Sequence, residues 1–325
     1  MNVCIVGYGS IGPVHAKSVC DIPGVKVYAV CDINEENAKK CEKEFGAKIF
    51  TDFDDMLKDK DIDAVHICTP HYLHLPMAEK ALRAKKAVVL EKPAVMRAPE
   101  LETLKAALKE TGGKLCCIVQ NRENPCVKKL KEIVHCKKDG DILSVSGSLY
   151  WKRTKEYYAQ AAWRGKWATE GGGVVINQAV HLLDMMLFIG GGLKSISPSI
   201  SNRGIPEIEV EDTADAIMEF ENGTRGIFHA TNLNSLNSPY HLEVTFENCV
   251  YRYGDNMLIR ISKDGAEMIQ RDFPANNWKS YWGMGHREAI GKFYAALSGK
   301  KCSYTTLEDV EETLKAMFKF YEKEV

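Results

Sequence analysis

The run Gly7-Tyr8-Gly9-Ser10-Ile11-Gly12 satisfies G-x-G-x-x-G. A turn built this way can cradle phosphates. Gly7 permits the tight bend, Gly9 lets backbone approach a pyrophosphate, and Gly12 lets the next helix pack against its sheet. The N-terminus of that helix offers free N–H groups and partial positive charge. Asp32 follows Gly12 by twenty residues, where a carboxylate accepts hydrogen bonds from an adenosine ribose. Its charge repels a 2′-phosphate, so NAD is the expected cofactor and NADP the alternative.

Acid–base groups come later in the chain. Glu91-Lys92-Pro93 follows the apolar run Ala87 to Leu90. That places Lys92 at the carboxyl edge of a sheet, the edge where doubly wound folds bind ligands. Lys92 is therefore expected near the nicotinamide end. Asn177, His181 and Asp184 are spaced four and three apart, which puts them on one face of a helix. Gly171-Gly172-Gly173 precedes them and is expected to let backbone approach a ligand. Histidine is the natural general base near neutral pH.

The elements that must position these residues follow from the apolar pattern. Val3 to Val6, Lys26 to Cys31, Ala64 to Cys68, Ala87 to Leu90 and Leu115 to Val119 read as strands. Helical segments lie between them, at Ile11 to Cys20, Glu35 to Phe45, Leu75 to Ala84 and Glu100 to Lys109. That alternation implies an α/β domain with a doubly wound parallel sheet, over residues 1–121. Residues 122–325 change grammar and imply an α+β domain with an open, largely antiparallel sheet. Asn124 to His135 reads as helix, Ile142 to Tyr150 as strand, and Asn177 to Phe188 as helix. Ala214 to Arg271 reads as hairpins, with turn signals at Asn222-Gly223, Gly254-Asp255-Asn256 and Lys263-Asp264-Gly265. Helices return at Arg287 to Leu297 and after Thr305, where Thr305 to Glu308 fits a capping box.

Composition removes other classes. Lys plus Arg total 43 against 44 for Asp plus Glu, a net charge of -1. This argues against nucleic acid or an anionic membrane as the partner. No apolar stretch is long enough to span a bilayer. The chain enters a strand almost at once, so no signal peptide is expected and a cytoplasmic location is. The eleven cysteines contain no C-x-x-C pair, so no metal site is expected.

Taken together, these residues resemble the Gfo/Idh/MocA family, named for glucose–fructose oxidoreductase and inositol dehydrogenase. The carriers are the glycine turn, Cys68-Thr69-Pro70-His71 followed by His74, and Glu91-Lys92-Pro93. Trp163-Arg164-Gly165 and the glycine triplet leading into Asn177, His181 and Asp184 complete them. The resemblance implies that Lys92 polarises a substrate oxygen, His181 removes the hydroxyl proton, and Asn177 takes the Asp/Asn role. It implies cofactor contacts at Thr69, Pro70, His71, His74, Glu91 and Lys92, with Gln120 at the end of the last Rossmann strand. Two departures stand out: many relatives carry Asp in place of Asn177, and Asn in place of His71. A homodimer or homotetramer through the C-terminal sheet is also implied.

The expected substrate is sugar-like: a sugar, glycoside, uronate or cyclitol. Lys92, Arg122, Tyr150, Trp163, Arg164, Asn177, His181 and His286 are its candidate contacts. His286 follows Tyr281-Trp282-Gly283-Met284-Gly285. Two other readings remain open at this point. One is an enzyme with tightly bound NAD that oxidises transiently to eliminate or epimerise. The other is a non-catalytic dinucleotide sensor, which has no need of an acid–base pair.

Overall fold

The computed structural model describes residues 1–273 and 285–322. They form two compact units: Met1–Val119 with His286–Val310, and Gln120–Gly285 with the residues after Val310. The sequence reading drew one boundary at 121/122 and carried the second domain to the end. The structure returns 286–310 to the first unit.

In the first unit, six strands form a parallel sheet: β1 (Asn2–Val6), β2 (Lys26–Cys31), β3 (Lys48–Phe50), β4 (Ala64–Ile67), β5 (Ala87–Leu90) and β6 (Leu115–Cys117). Their order is β3-β2-β1-β4-β5-β6. The first connecting helices are α1 (Gly12–Cys20), α2 (Glu35–Phe45), α3 (Phe53–Leu57), α4 (His74–Arg83) and α5 (Ala98–Thr111). The short apolar runs are strands because every side chain in β4 is buried, as is nearly every one in β1, with no polar face to present. Val3, Ile5 and Val30 share a core with Ala38 and Cys41 of α2. Asn34 caps α2, accepting from Glu36 N, and Gly46 ends it at φ 68°. Strand β3 is too short to give a periodic signal and was not in the expected set.

The second unit holds α6 (Pro125–Cys136), β7 (Ile142–Tyr150), α7 (Lys155–Ala159), a π-helical turn (Val175–Ala179) and α8 (Val180–Gly190). Then follow β8 (Leu193–Ser201), β9 (Thr213–Phe220), β10 (Arg225–Thr231), β11 (His241–Phe246), β12 (Val250–Gly254), β13 (Met257–Ser262) and β14 (Gly265–Arg271). The eight strands run β14-β13-β12-β11-β7-β10-β9-β8. All neighbours are antiparallel except β7 and β10. Asp255 and Asn256, both at positive φ, turn β12 into β13 as the sequence signal implied.

Burial alternates along β9 and β10, so the sheet there has two unlike faces. One packs on α8: a Cβ at Gly147 would sit 2.4 Å from Met186 Sδ. The other leaves Tyr150, Ile217 and Ile227 exposed. The chain ends in α9 (Gly285–Leu297) and α10 (Leu307–Lys319). Ile290, Phe293 and Tyr294 of α9 pack into the first unit's core. The cap before α10 falls one residue later than expected, with Thr306 and Asp309 bonding reciprocally. No helix among the described residues is long and apolar enough to cross a membrane.

Candidate active site

Four loops leave the carboxyl ends of β1, β2, β4 and β5, and they carry the glycine turn, Asp32, Thr69-Pro70 and Glu91-Lys92. The three glycines of the turn do different jobs. Gly7 has φ +85°, and a Cβ there would press to 2.8 Å of Cys68 O. A Cβ at Gly12 would lie 2.5 Å from Gly7 O. Nothing lies within 4 Å of a Cβ at Gly9, so the backbone there is open to a ligand. Helix α1 has no side-chain N-cap; Pro13 has no N–H and Val14 N and His15 N bond Ile11 O, so its start offers an anion mainly the partial positive charge of the helix end.

Asp32 ties the second strand to the turn. Its Oδ2 accepts from Tyr8 N at 2.7 Å, and its Oδ1 from Asn34 N at 2.8 Å. Ile33 beside it is 94% exposed, an apolar surface next to the ribose position. An open Gly9, an uncapped helix start and a carboxylate after β2 fit a dinucleotide. The Tyr8 ring is buried in the core, and its backbone N–H donates to Asp32. Ser10 and Ile11 stay on the accessible part of the turn.

His74 was expected at the cofactor and serves as a strut. It is buried, with Nδ1 2.7 Å from Pro93 O and Nε2 2.9 Å from Thr69 O. It therefore links the Thr69-Pro70 loop to the loop behind Lys92. Burial pulls its pKa down, while the two carbonyls, which need N–H donors, push it back up. His71 is also buried, in a 3-10 turn ahead of α4.

Glu91 is the centre of a buried polar cluster. Its Oε1 lies 2.9 Å from His15 Nε2 and 3.2 Å from His286 Nε2, and its Oε2 accepts Lys92 N at 3.1 Å. Behind it, His15 Nδ1 lies 2.9 Å from His66 Nδ1, and His66 Nε2 lies 2.8 Å from Tyr294 OH. A carboxylate only accepts, so His15 donates through Nε2 and accepts at Nδ1. His66 then donates through Nδ1, and Tyr294 donates to His66. Burial holds His15 and His66 below the usual histidine value, as neutral rings require. Burial alone would raise Glu91; its hydrogen bonds to His15 and His286 hold it well below the carboxylate range.

Ligating atoms of His15, Glu91 and His286 lie within 4.8 Å of one another. A cation there would need a lone pair on His15 Nε2, where the Tyr294–His66–His15 chain directs a proton. The cluster instead anchors Lys92, whose own amide it binds. Glu91, expected as a cofactor contact, thus turns inward. His286, expected at the substrate, is 1% exposed beside Glu91, and the preceding 281–284 lie outside the described residues.

In the second unit, Asn177 and His181 sit where a π turn passes into α8. Gly172 and Gly173 do not open space for a ligand. A Cβ at Gly172 would meet the Tyr321 ring at 2.3 Å, and one at Gly173 would meet Glu211 O at 1.8 Å. Two buried carboxylates hold this corner. Glu211 accepts from Gly173 N at 2.8 Å, Val175 N at 3.0 Å and Tyr321 OH at 2.9 Å. Burial raises its pKa to about 7, against the pull of these donors. Glu170 accepts from Gly165 N and from the Asn177 side-chain amide. Glu170 abuts the triplet and could have been suspected from sequence; Glu211 and Tyr321 arrive from far along the chain and carry no local signal.

Asp184 does not serve His181. It is buried and takes a two-bond ion pair from Arg122, at 2.6 and 2.9 Å, and a bond from Thr313. Arg122 also lies over the Phe188 ring, so this expected substrate contact is engaged within the scaffold. Tyr150 is on the sheet face opposite α8, beside His229 and His241, away from the face that packs against the His181 helix. Arg164 stacks on Tyr157, and its buried Nε lacks a hydrogen-bond partner among the described residues. Trp163 is half-buried next to it. Gln120 is buried, and its Oε1 likewise lacks a partner among the described residues.

A family model described as "Oxidoreductase family, NAD-binding Rossmann fold" matches residues 1–119, and a "GFO/IDH/MocA C-terminal domain" model matches 127–252. "Uncharacterized oxidoreductase YrbE" of Bacillus subtilis is 29% identical over 69% of this chain and 64% of its own length. The scyllo-inositol 2-dehydrogenase (NAD(+)) of the same organism is 28% identical over 76% of this chain and 70% of its own. The WlbA dehydrogenase from Bordetella pertussis, solved with NADH and UDP-GlcNAcA, superposes with TM-score 0.81. It is 26% identical, with 99% of this chain and 97% of that one covered.

Proposed function

This chain belongs to the Gfo/Idh/MocA oxidoreductases, NAD(P)-dependent dehydrogenases of CH–OH groups, and we propose that its substrate is a secondary alcohol of a sugar, glycoside, uronate or cyclitol. The observation that carries this is the shared edge of the parallel sheet. The open Gly9 turn, Asp32 and Lys92 all follow carboxyl ends of its strands. Gly7, Gly9, Gly12, Asp32 and the start of α1 hold the dinucleotide.

The chemistry that a bound nicotinamide supplies is acceptance of a hydride from the alcohol carbon. The chain supplies the rest. Lys92 is oriented through its amide bond to Glu91 and hydrogen-bonds the substrate oxygen, stabilising the charge that grows there. His181 takes the hydroxyl proton as general base. Asn177 hydrogen-bonds substrate, and Arg164 and Trp163 supply a cation and an aromatic surface beside the sugar ring.

A panel of sugars, uronates, UDP-linked uronates, glycosides and inositols tests this, with NAD and NADP run separately. Reduced-nicotinamide absorbance should rise with at least one cyclic polyol or uronate, and faster with NAD. No absorbance with any of them, in protein that binds NAD, would refute the dehydrogenase reading. Tightly held NAD with product formed but no net NADH would favour transient oxidation instead.

We also propose that the open sheet face pairs subunits, because Tyr150, Ile217 and Ile227 stand exposed on it. Sedimentation should give a dimer or larger for the native chain and a smaller species for Ile227→Asp. A monomeric native chain would end this proposal.

A further inference from the structure

The catalytic reading of the second unit leaves a chemical gap at Asn177. An amide carries no charge to support His181 when it takes a proton. It can also face its surroundings with either oxygen or nitrogen. A side chain seven residues earlier supplies what is missing.

Glu170 is 0% exposed. One carboxylate oxygen accepts the Gly165 amide at 2.5 Å, and the other accepts Asn177 Nδ2. A carboxylate has no hydrogen to give, so the amide must turn its nitrogen to Glu170. That orientation is dictated by chemistry and does not depend on which way an amide is drawn. It turns Asn177 Oδ1 away from Glu170.

We propose that Glu170 is the positioning residue of the second unit, resting on the dehydrogenase reading above. It locks Asn177 so that Oδ1 accepts a hydrogen bond from a substrate hydroxyl. It also supplies, one side chain removed, the negative charge that an Asp at position 177 would have carried. A buried carboxylate without this work would be costly, since its charge is desolvated.

The site makes a reciprocal prediction. In Asn177→Asp, two carboxylates touch in a buried place, and one must keep a proton above the ordinary carboxylate pKa. The stability due to that shared proton is full at low pH and is lost as pH rises through the raised pKa. In Glu170→Gln/Asn177→Asp the amide–carboxylate pair is restored in reverse order. Among the described residues, Tyr158 of α7 and Tyr321 beyond α10 face Glu170, and Glu211 shares Tyr321. All three are unchanged in every variant.

The experiment uses the full chain, wild type and three variants: Glu170→Gln, Asn177→Asp and the double. Tm is read from pH 5 to pH 9 without substrate, NAD affinity by titration, and turnover on the best substrate of the panel. Glu170→Gln should lose roughly 10- to 100-fold in kcat/KM with NAD affinity unchanged. Asn177→Asp should lose Tm against wild type progressively as pH rises, and activity with it. The double variant should flatten that pH dependence and regain most of the turnover. Turnover of Glu170→Gln within twofold of wild type, a pH-independent Tm difference in Asn177→Asp, or no recovery in the double would each overturn the proposal. A wild type inactive on the whole panel sinks the dehydrogenase reading, and the Tm series then decides the Glu170–Asn177 pairing by itself.

Discussion

The chain holds two glycine clusters ahead of helices, and they are used in opposite ways. At Gly7, Gly9 and Gly12, two glycines are spent on tight turning and packing, and the middle one leaves open space. At Gly172 and Gly173, the space is already filled, by the Tyr321 ring and by the Glu211 backbone. The first cluster makes room for a ligand outside the protein's own atoms. The second makes room for the protein itself, so that buried carboxylates can reach the amides at the start of a helix. Glycine content alone therefore says that something comes close, and only the neighbours say what.

The sharpest way to break this contrast is Gly173→Ala. A Cβ 1.8 Å from the Glu211 carbonyl forces that segment and the start of the helix apart. We expect a loss of 3 kcal/mol or more, on the order of the severe packing mutants, read as a large drop in Tm or in soluble protein. A variant that melts like wild type would mean the triplet has slack. Gly9→Val is the converse. Its apo Tm should match wild type, because its side chain meets nothing of the protein's own. Its NAD affinity should fall about 100-fold, near 3 kcal/mol, by calorimetric titration. Unchanged affinity would remove the cradle from the cofactor site.

The two regions also differ in the sign of their pH response. In the first unit, Glu91 is held below its ordinary pKa and His15 and His66 are buried neutral. The unfolded chain binds protons at these groups first, so their contribution is complete above about pH 6.5 and is lost on acidification. In the second unit, Glu211 is raised to about 7. Its contribution is complete below the ordinary carboxylate pKa, near 4.3, and is lost as pH rises through 7. Glu211→Gln should therefore close its Tm gap to wild type between pH 5 and pH 8, a smaller effect than either glycine change. A gap that stays constant would place Glu211 at an ordinary pKa.

Much of the first unit was legible because its chemistry is local. The glycine turn, Asp32 and Lys92 each lie directly beyond a strand whose apolar run is visible in the sequence. Strand β7 was read at its observed bounds, Ile142–Tyr150, for the same reason. What escaped is nonlocal. His15 and His66 become meaningful only once α1 and β4 meet Glu91 and Tyr294. The face of Tyr150 depends on sheet register, and the partner of Asp184 depends on Arg122 sixty-two residues away. Helical periodicity placed Asn177, His181 and Asp184 on one face, but the π turn at Val175–Ala179 departs from that period. Glu170, Glu211 and Tyr321 form a corner from three separate stretches of chain, which no spacing rule reports.

We propose above that Lys92 and His181 are both catalytic and that neither is needed to hold the dinucleotide. The direct measurement pairs NAD affinity with substrate-dependent NADH formation in Lys92→Ala and His181→Ala. The account predicts NAD dissociation constants within about threefold of wild type and turnover reduced by roughly 10²- to 10⁴-fold in both variants. Turnover that survives either substitution on every active substrate, or NAD binding that disappears together with turnover, would contradict it.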